Sequence, residues 1–337
     1  AVSELAAAAI LHQSDLARAE SRAPHHWIGQ LSEICAAYPK AAARVEATPD
    51  FLTARLRAAG KTDYIAVNDQ WIDVLALFGQ WQTLPRWPRI GPLPSQWPNT
   101  RPPERAPATA DAGDTAAPNS KVMGRIRGLL AKADATDFEE EAETLTAKAQ
   151  ELMTRYSIDS LLLTDGNAGV VTRRLHIDNP HAPAKAQLLH GVGSANRVKS
   201  IWDQEYAVAT LVGSEIDVEQ TEMLFTSLLI QATRALSRSP RAKRRKGSAS
   251  AAFGKAFLYA FAVRIGERLE EVHTVTVDEA SSTSSDLLPM LAAQTVAVEA
   301  EFDRLFPSTR AMRGPRLDAE GWESGQAAAD EADLRRT

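Results

Sequence analysis

Nine of the chain's eighteen prolines fall between positions 85 and 118. Proline supplies no backbone N–H, and its ring clashes with the preceding turn, so this stretch can be neither a helix interior nor a central strand. It therefore splits the 337 residues into a part before and a part after. Its first half, LPRWPRIGPLPSQWP, interleaves Trp87 and Trp97 with proline and can lie extended on a folded surface. Its second half, from Asn99 to Asn119, is small and polar and reads as a linker. Proline-rich segments also serve as ligands for aromatic grooves, which is the alternative for the first half.

Residues 1–84 read as a helical unit. Leu31, Ile34, Cys35 and Tyr38 recur at helical spacing, as do Phe51, Leu52 and Leu56, with Gly60 as punctuation. The more apolar run from Trp71 to Phe78 is expected in the core of that unit. After the proline-rich segment (85–119), residues 120–166 predict a helical hairpin. Val122, Ile126, Leu129, Leu130 and Ala133 form one stripe of a first helix. Thr136 with Glu139 forms an expected capping box for the second, which buries Phe138, Ala142, Leu145, Ala149, Leu152, Met153 and Tyr156. The acidic triplet Glu139-Glu140-Glu141 is read as complementing the helix dipole rather than as a carboxylate site.

From residue 167 the period changes. Val171, Arg173, Leu175 and Ile177 alternate with polar residues, as a strand does. A helix opened by Pro183 follows, then strands over Arg197–Trp202 and Tyr206–Val212 joined at Asp203-Gln204. Ser214 caps a long helix carrying Leu224, Phe225, Leu228, Leu229, Ala232 and Leu236. Another helix carries Phe253, Phe257, Phe261, Ile265 and Leu269. The expected class is a predominantly helical α+β fold, ordered β-α-β-β-α-α, with the helices on one face of a small sheet over 167–310. A helix is expected over 286–306, and residues 311–337 read as a polar tail with a short helix.

Composition excludes several classes. Only Cys35 is present, so there is no intramolecular disulfide and no cysteine metal cage. It is read as a packed core residue. No apolar run reaches the roughly 18 residues that span a bilayer. The opening AVSELAAAAILHQSD lacks a basic leader and carries Glu4, against a secretory signal. A cytoplasmic setting without membrane contact is the expectation. No HExxH or GxSxG is present, and Gly191-Val-Gly193-Ser194 lacks the lysine and the preceding strand of a phosphate loop. No cofactor and no catalytic residue is assigned.

The charge is uneven. The net value is −5, yet residues 167–272 hold fifteen Lys and Arg against ten Asp and Glu. The run RSPRAKRRKGS, from Arg238 to Ser248, has six basic residues in eleven. It joins two amphipathic helices, with Arg234 and Lys255 in the adjoining turns, and Pro240 and Gly247 are expected to keep it non-helical. Lysines and arginines that neutralise phosphates release counterions and give salt-sensitive affinity without reading bases. The candidate nucleic-acid-binding residues are Arg234, Arg238, Arg241, Lys243, Arg244, Arg245, Lys246 and Lys255. No aromatic residue lies within the run to stack on bases.

Met123-Gly-Arg-Ile-Arg-Gly-Leu-Leu-Ala-Lys-Ala133, Glu141-Ala142 and Ala147-Lys-Ala-Gln-Glu-Leu-Met-Thr-Arg-Tyr156 resemble the domain of unknown function catalogued as number 2786, a short helical hairpin. Phe138-Glu139-Glu140 departs from that family's usual Asn-Pro opening, which affects the cap and not the packing. Residues around His176–Leu189, Phe225–Ala232, Phe253–Leu269, Leu287–Leu291 and Gly321–Gly325 look like the α+β partner domain that follows it in actinobacterial proteins. The resemblance implies this layout and origin and carries over no catalytic residue.

Three functional expectations follow. The first is a non-enzymatic protein that contacts DNA, RNA or a nucleoprotein through the basic run. The second is a protein-interaction module that docks through the hairpin and the Trp/Pro segment. The third is a divergent metal-dependent hydrolase built on His176, His181, His190 and Asp178.

Overall fold

The structure is a computed structural model that describes residues 2–42, 64–99, 118–136, 138–164, 166, 168–282, 284, 286–310 and 317–330. It divides into two compact units, Ala1–Ala106 and Pro107–Thr337.

The first unit contains α1 (Val2–Leu16), α2 (Ala19–Arg22), α3 (His25–Ala37), α4 (Pro39–Ala42) and α5 (Tyr64–Thr83). Its packing is thin: Leu5 meets Val74 and Leu77, and Ala7 and Ala8 meet Ala41. Trp97 is buried edge-to-face on Trp27, with ring centroids 5.3 Å apart. Arg22 holds the Trp97 segment in place by donating to the carbonyls of Trp97 (2.7 Å) and Pro98 (3.1 Å). The expectation for Trp71–Phe78 needs correcting. Val74 and Leu77 are buried, but Trp71, Ile72, Leu75 and Phe78 are 42–65% exposed. A helix apolar on every side needs cover on every side, and among the described residues α5 packs mainly on α1. Cys35 is half-buried in α3 rather than enclosed. The expected helix at Phe51–Leu56 lies outside the described residues, as does most of the linker.

The second unit begins with the hairpin, α6 (Pro118–Ala135) and α7 (Glu139–Leu163). The capping box does not form. The helix starts at Glu139, with Phe138 as its cap, so Glu139 is not three residues into the helix. The Thr136 hydroxyl instead accepts from the Phe138 N–H (3.3 Å) and donates to Glu141 (2.5 Å). Strands β1 (Val171–His176), β2 (Lys199–Asp203) and β3 (Val208–Gly213) form an antiparallel sheet in the order β1-β3-β2. Its register sets Val171 opposite Gly213 and Lys199 opposite Val212. The Asp203 carboxylate accepts the Glu205 and Tyr206 N–H groups and so closes the β2–β3 turn.

Between β1 and β2 lies α8 (Ala182–Ala195). After the sheet come α9 (Glu215–Arg238), α10 (Pro240–Lys243), α11 (Gly247–Ser281), α12 (Leu287–Leu305) and α13 (Ala319–Asp330). The predominantly helical α+β class and the β-α-β-β-α-α order hold. The sheet, however, is covered on both faces. Ala209 and Leu211 pack with Ala186 and Leu189 of α8, while Val212 packs with Val298 and Leu305 of α12. This is why β3 is a nearly unbroken apolar run and not a half-polar one.

The long α11 is the axis of the main core. Phe253, Phe257, Phe261, Ile265 and Leu269 are all buried, as the helical spacing predicted, together with Met123, Ile126, Met153 and Tyr156 of the hairpin. Glycines set its two closest crossings. A Cβ on Gly191 of α8 would stand 3.2 Å from the Gly266 Cα. A Cβ on Gly321 or Gly325 of α13 would stand 2.7 or 2.2 Å from the carbonyl oxygens of Phe253 or Phe257. Gly191 and Gly193 therefore serve packing inside α8. The C-terminal helix, polar in sequence, presses a glycine edge into the core.

Candidate polyanion-binding surface

Ser214 starts α9 by accepting the Asp217 N–H on its hydroxyl (3.1 Å). The helix runs to Arg238 and ends before Ser239-Pro240. Pro240 was expected to bar helix here. It opens one instead, because at the first helical position its missing N–H costs nothing. The Ser239 hydroxyl accepts the Ala242 N–H (3.4 Å), and α10 forms a single turn. Gly247 then takes φ +60°, a left-handed conformation that glycine adopts without penalty, and the chain enters α11. The basic run is thus a short, structured corner.

The eight candidate residues divide into groups. Arg234 is tied down, donating to the Asp134 carbonyl at the end of α6. Arg238 is exposed at the end of α9. Two arginines face the first turns of α13. Arg241 donates to the Ser324 hydroxyl (3.2 Å) and has its Nε 3.6 Å from Glu320. Arg245 pairs with Asp318 (3.2 Å) and with Glu320, and its guanidinium lies 4.9 Å from the Phe253 ring centroid. The Asp318 carboxyl is held below its ordinary range, chiefly by accepting the Gly321 N–H and then by Arg245. Lys243, Arg244 and Lys246 are exposed. Lys255 is half-buried near His181, whose pKa is pushed down by burial, by Lys185 and by Lys255. Among the described residues, Lys243, Arg244, Lys246 and Lys255 form no ion pair. The span from Arg234 to Lys255 contains no acidic residue. The carboxylates that meet it come from about 75 residues away, and no local pattern announces them.

The expected histidine set does not converge. His176 contacts Asp178 at 3.1 Å on the surface, and His190 contacts the Ser200 hydroxyl at 2.9 Å. His181 packs beside Gly254. Among the described residues, no three His, Cys, Asp or Glu side chains are placed to hold a metal ion. No described helix is long and apolar enough to cross a membrane.

Sequence reasoning missed a buried polar cluster. Arg197, expected at the start of a strand, sits in a turn at φ +58°. It pairs with the buried Asp217 at 2.8 Å and also donates to Ser157. Ser157 in turn donates to Asp217 at 2.5 Å. Gln150 donates to Asn196 (3.3 Å), and the Thr154 hydroxyl lies 3.5 Å from His273 Nδ1. The His273 imidazole is pushed down to about 4, first by burial and then by Arg197. The cluster ties α7 to the α8–β2 turn, the start of α9 and α11. Its members lie far apart in sequence, with Ser157 and Asp217 separated by 60 residues, so no motif marks it.

The hairpin is also where comparison with known proteins lands. Residues 121–160 match the model of a family described as "Protein of unknown function (DUF2786)". No curated protein and no solved structure matches the chain. The match covers the faces of α6 and α7 that enter the core and carry Gln150, Thr154 and Ser157 of the polar cluster.

Proposed function

We propose that the second unit binds a polyanion, in the first instance the phosphate backbone of a nucleic acid, through the corner formed by the end of α9, α10 and the start of α11. The observation that carries this reading is the exposed trio Lys243, Arg244 and Lys246, unpaired among the described residues, on a span with no acidic residue. Three such side chains on a short, structured corner can each meet a phosphate, and the affinity is then governed by counterion release. Arg238 and the half-buried Lys255 flank the trio and widen its field.

The test is a titration of labelled duplex DNA, single-stranded DNA and RNA at low and moderate salt, comparing the wild type with a variant in which Lys243, Arg244 and Lys246 are alanine. Binding should weaken by about 0.9 log units per log of salt for each duplex phosphate contacted. The variant should bind more weakly, with a slope shallower by up to about 3. Equal binding by both proteins, or none by either, overturns the reading.

The apolar side of α5 favours a second reading, docking of a protein partner on the first unit. A partner that co-purifies after nuclease treatment, and is lost when Trp71 and Leu75 become serine, would support it. Retention by that variant would remove it.

A further inference from the structure

Glu320 stands between Arg241 and Arg245, with one carboxylate oxygen toward each guanidinium. Ser324, one turn further along α13, accepts from Arg241 on its hydroxyl (3.2 Å) and donates to the Glu320 carbonyl (2.8 Å). Two guanidinium groups flanking one two-oxygen anion form a donor set that also recognises a phosphate. From this geometry we infer a phosphate subsite formed by Arg241 and Arg245, with Ser324 holding the Arg241 side chain, in which the Glu320 carboxylate is a built-in competitor. The inference rests on the polyanion reading above and locates one phosphate within it.

Three observations support displacement of the carboxylate alone. Glu320 is about half exposed, so its pairs lie in solvent-screened surroundings where ion pairs are weak. Arg245 is held from its other side by Phe253 and by Asp318, so its guanidinium keeps its place when Glu320 leaves. The helix that carries Glu320 is fixed by Gly321 and Gly325 against α11, and by the Asp318 carboxylate capping the Gly321 N–H at 2.8 Å. An incoming phosphate therefore need only swing one exposed side chain aside, leaving α13 where it is.

The experiment uses the full chain, a labelled duplex of about twenty base pairs, and the exchange Glu320→Gln, which keeps the shape and removes the charge. Glu323→Gln, on the same helix and without an arginine partner among the described residues, controls for net charge. Glu320→Gln should bind more tightly, with a salt slope steeper by about 1, so that its advantage shrinks about threefold between roughly 50 and 200 mM salt. Glu323→Gln should show a smaller gain and an unchanged slope. In a background carrying Arg241→Gln and Arg245→Gln, with the fold checked by circular dichroism, exchanging Glu320 should give no more than the small gain of Glu323→Gln and leave the slope unchanged. If the wild type binds and the trio variant binds less, but Glu320→Gln matches the wild type or Glu323→Gln, the subsite is refuted and the broader surface stands. If neither wild type nor Glu320→Gln binds the duplex, and neither binds single-stranded DNA or RNA, at any salt, the broader surface fails and the subsite with it; binding of single strands without duplex keeps the surface and refutes the duplex subsite.

Discussion

Replacing Asp217 with alanine tests whether the buried cluster is an energetically coupled unit. The Asp217 side chain is 3% exposed and that of Arg197 13%, and their contact is 2.8 Å. Asp217 also accepts the Ser157 hydroxyl at 2.5 Å. Removing the carboxylate leaves the guanidinium hydrogen-bonded only to the Ser157 hydroxyl, with the Glu270 carboxylate acting on it without a hydrogen bond, and its Nη1 is already buried without a hydrogen-bond partner. Breaking a buried pair from one side costs about 3–5 kcal/mol, because the remaining charge is uncompensated. That is a large part of the 5–15 kcal/mol typical of a folded protein. Removing both charges behaves differently: Arg197→Met with Asp217→Leu returns apolar volume and leaves no orphan ion, so it should cost about 1 kcal/mol or less. The left-handed backbone at position 197 strains Met and Arg alike and drops out of the comparison. Urea unfolding followed by far-ultraviolet circular dichroism reads both quantities. A single Asp217→Ala cost below about 1 kcal/mol, or a double variant as unstable as the sum of the two singles, would show that the pair is not coupled in this way.

Two further outcomes follow from the packing and from the buried imidazole. Gly325→Ala should destabilise by about 1–3 kcal/mol or more, since its Cβ would stand 2.2 Å from the Phe257 carbonyl oxygen and outweigh the gain in helix propensity. Gly128→Ala, on the open side of α6, should instead stabilise by about 0.5–1 kcal/mol; urea midpoints that ranked the two the other way would refute the crossing. The unfolded chain protonates His273 near 6.5 while the folded chain resists until about 4. Below pH 6.5 the unfolded state therefore binds the extra proton, and stability falls by about 2 kcal/mol on going from pH 7 to 4.5. His273→Gln should remove that share of the acid loss, and an unchanged pH dependence of the unfolding midpoint would count against it.

Which parts of this fold were legible in the sequence depended on how locally each was determined. The stripe Phe253-Phe257-Phe261-Ile265-Leu269 and the cap at Ser214 are set by residues three or four apart, and both held. The basic run was equally plain, and its exposure followed from the corner it makes. The capping box failed because the helix starts at Glu139 with Phe138 as its cap, two residues later than a Thr136 cap requires, a boundary that spacing rules do not resolve. Covering of the second sheet face came from α12, whose sequence names no target. Trp71–Phe78 misled for a related reason: apolar composition says that a helix needs cover, not which element supplies it.

The candidate site shows the same limit more sharply. A run of six basic residues looks uniform in sequence, yet it splits into anchored and unpaired side chains according to what α13 brings to it. Glu320 lies 75 residues from Arg245 and meets it only because two glycines let α13 approach α11 closely enough. Gly321 and Gly325 therefore act on the electrostatics of the surface as well as on the core. Any change that moves α13 away from α11 by an ångström or more would release Arg241 and Arg245 together and add to the free positive charge of the corner. On the reading proposed above, the positive field of this surface is coupled, through a backbone-to-backbone contact, to how tightly α13 is packed.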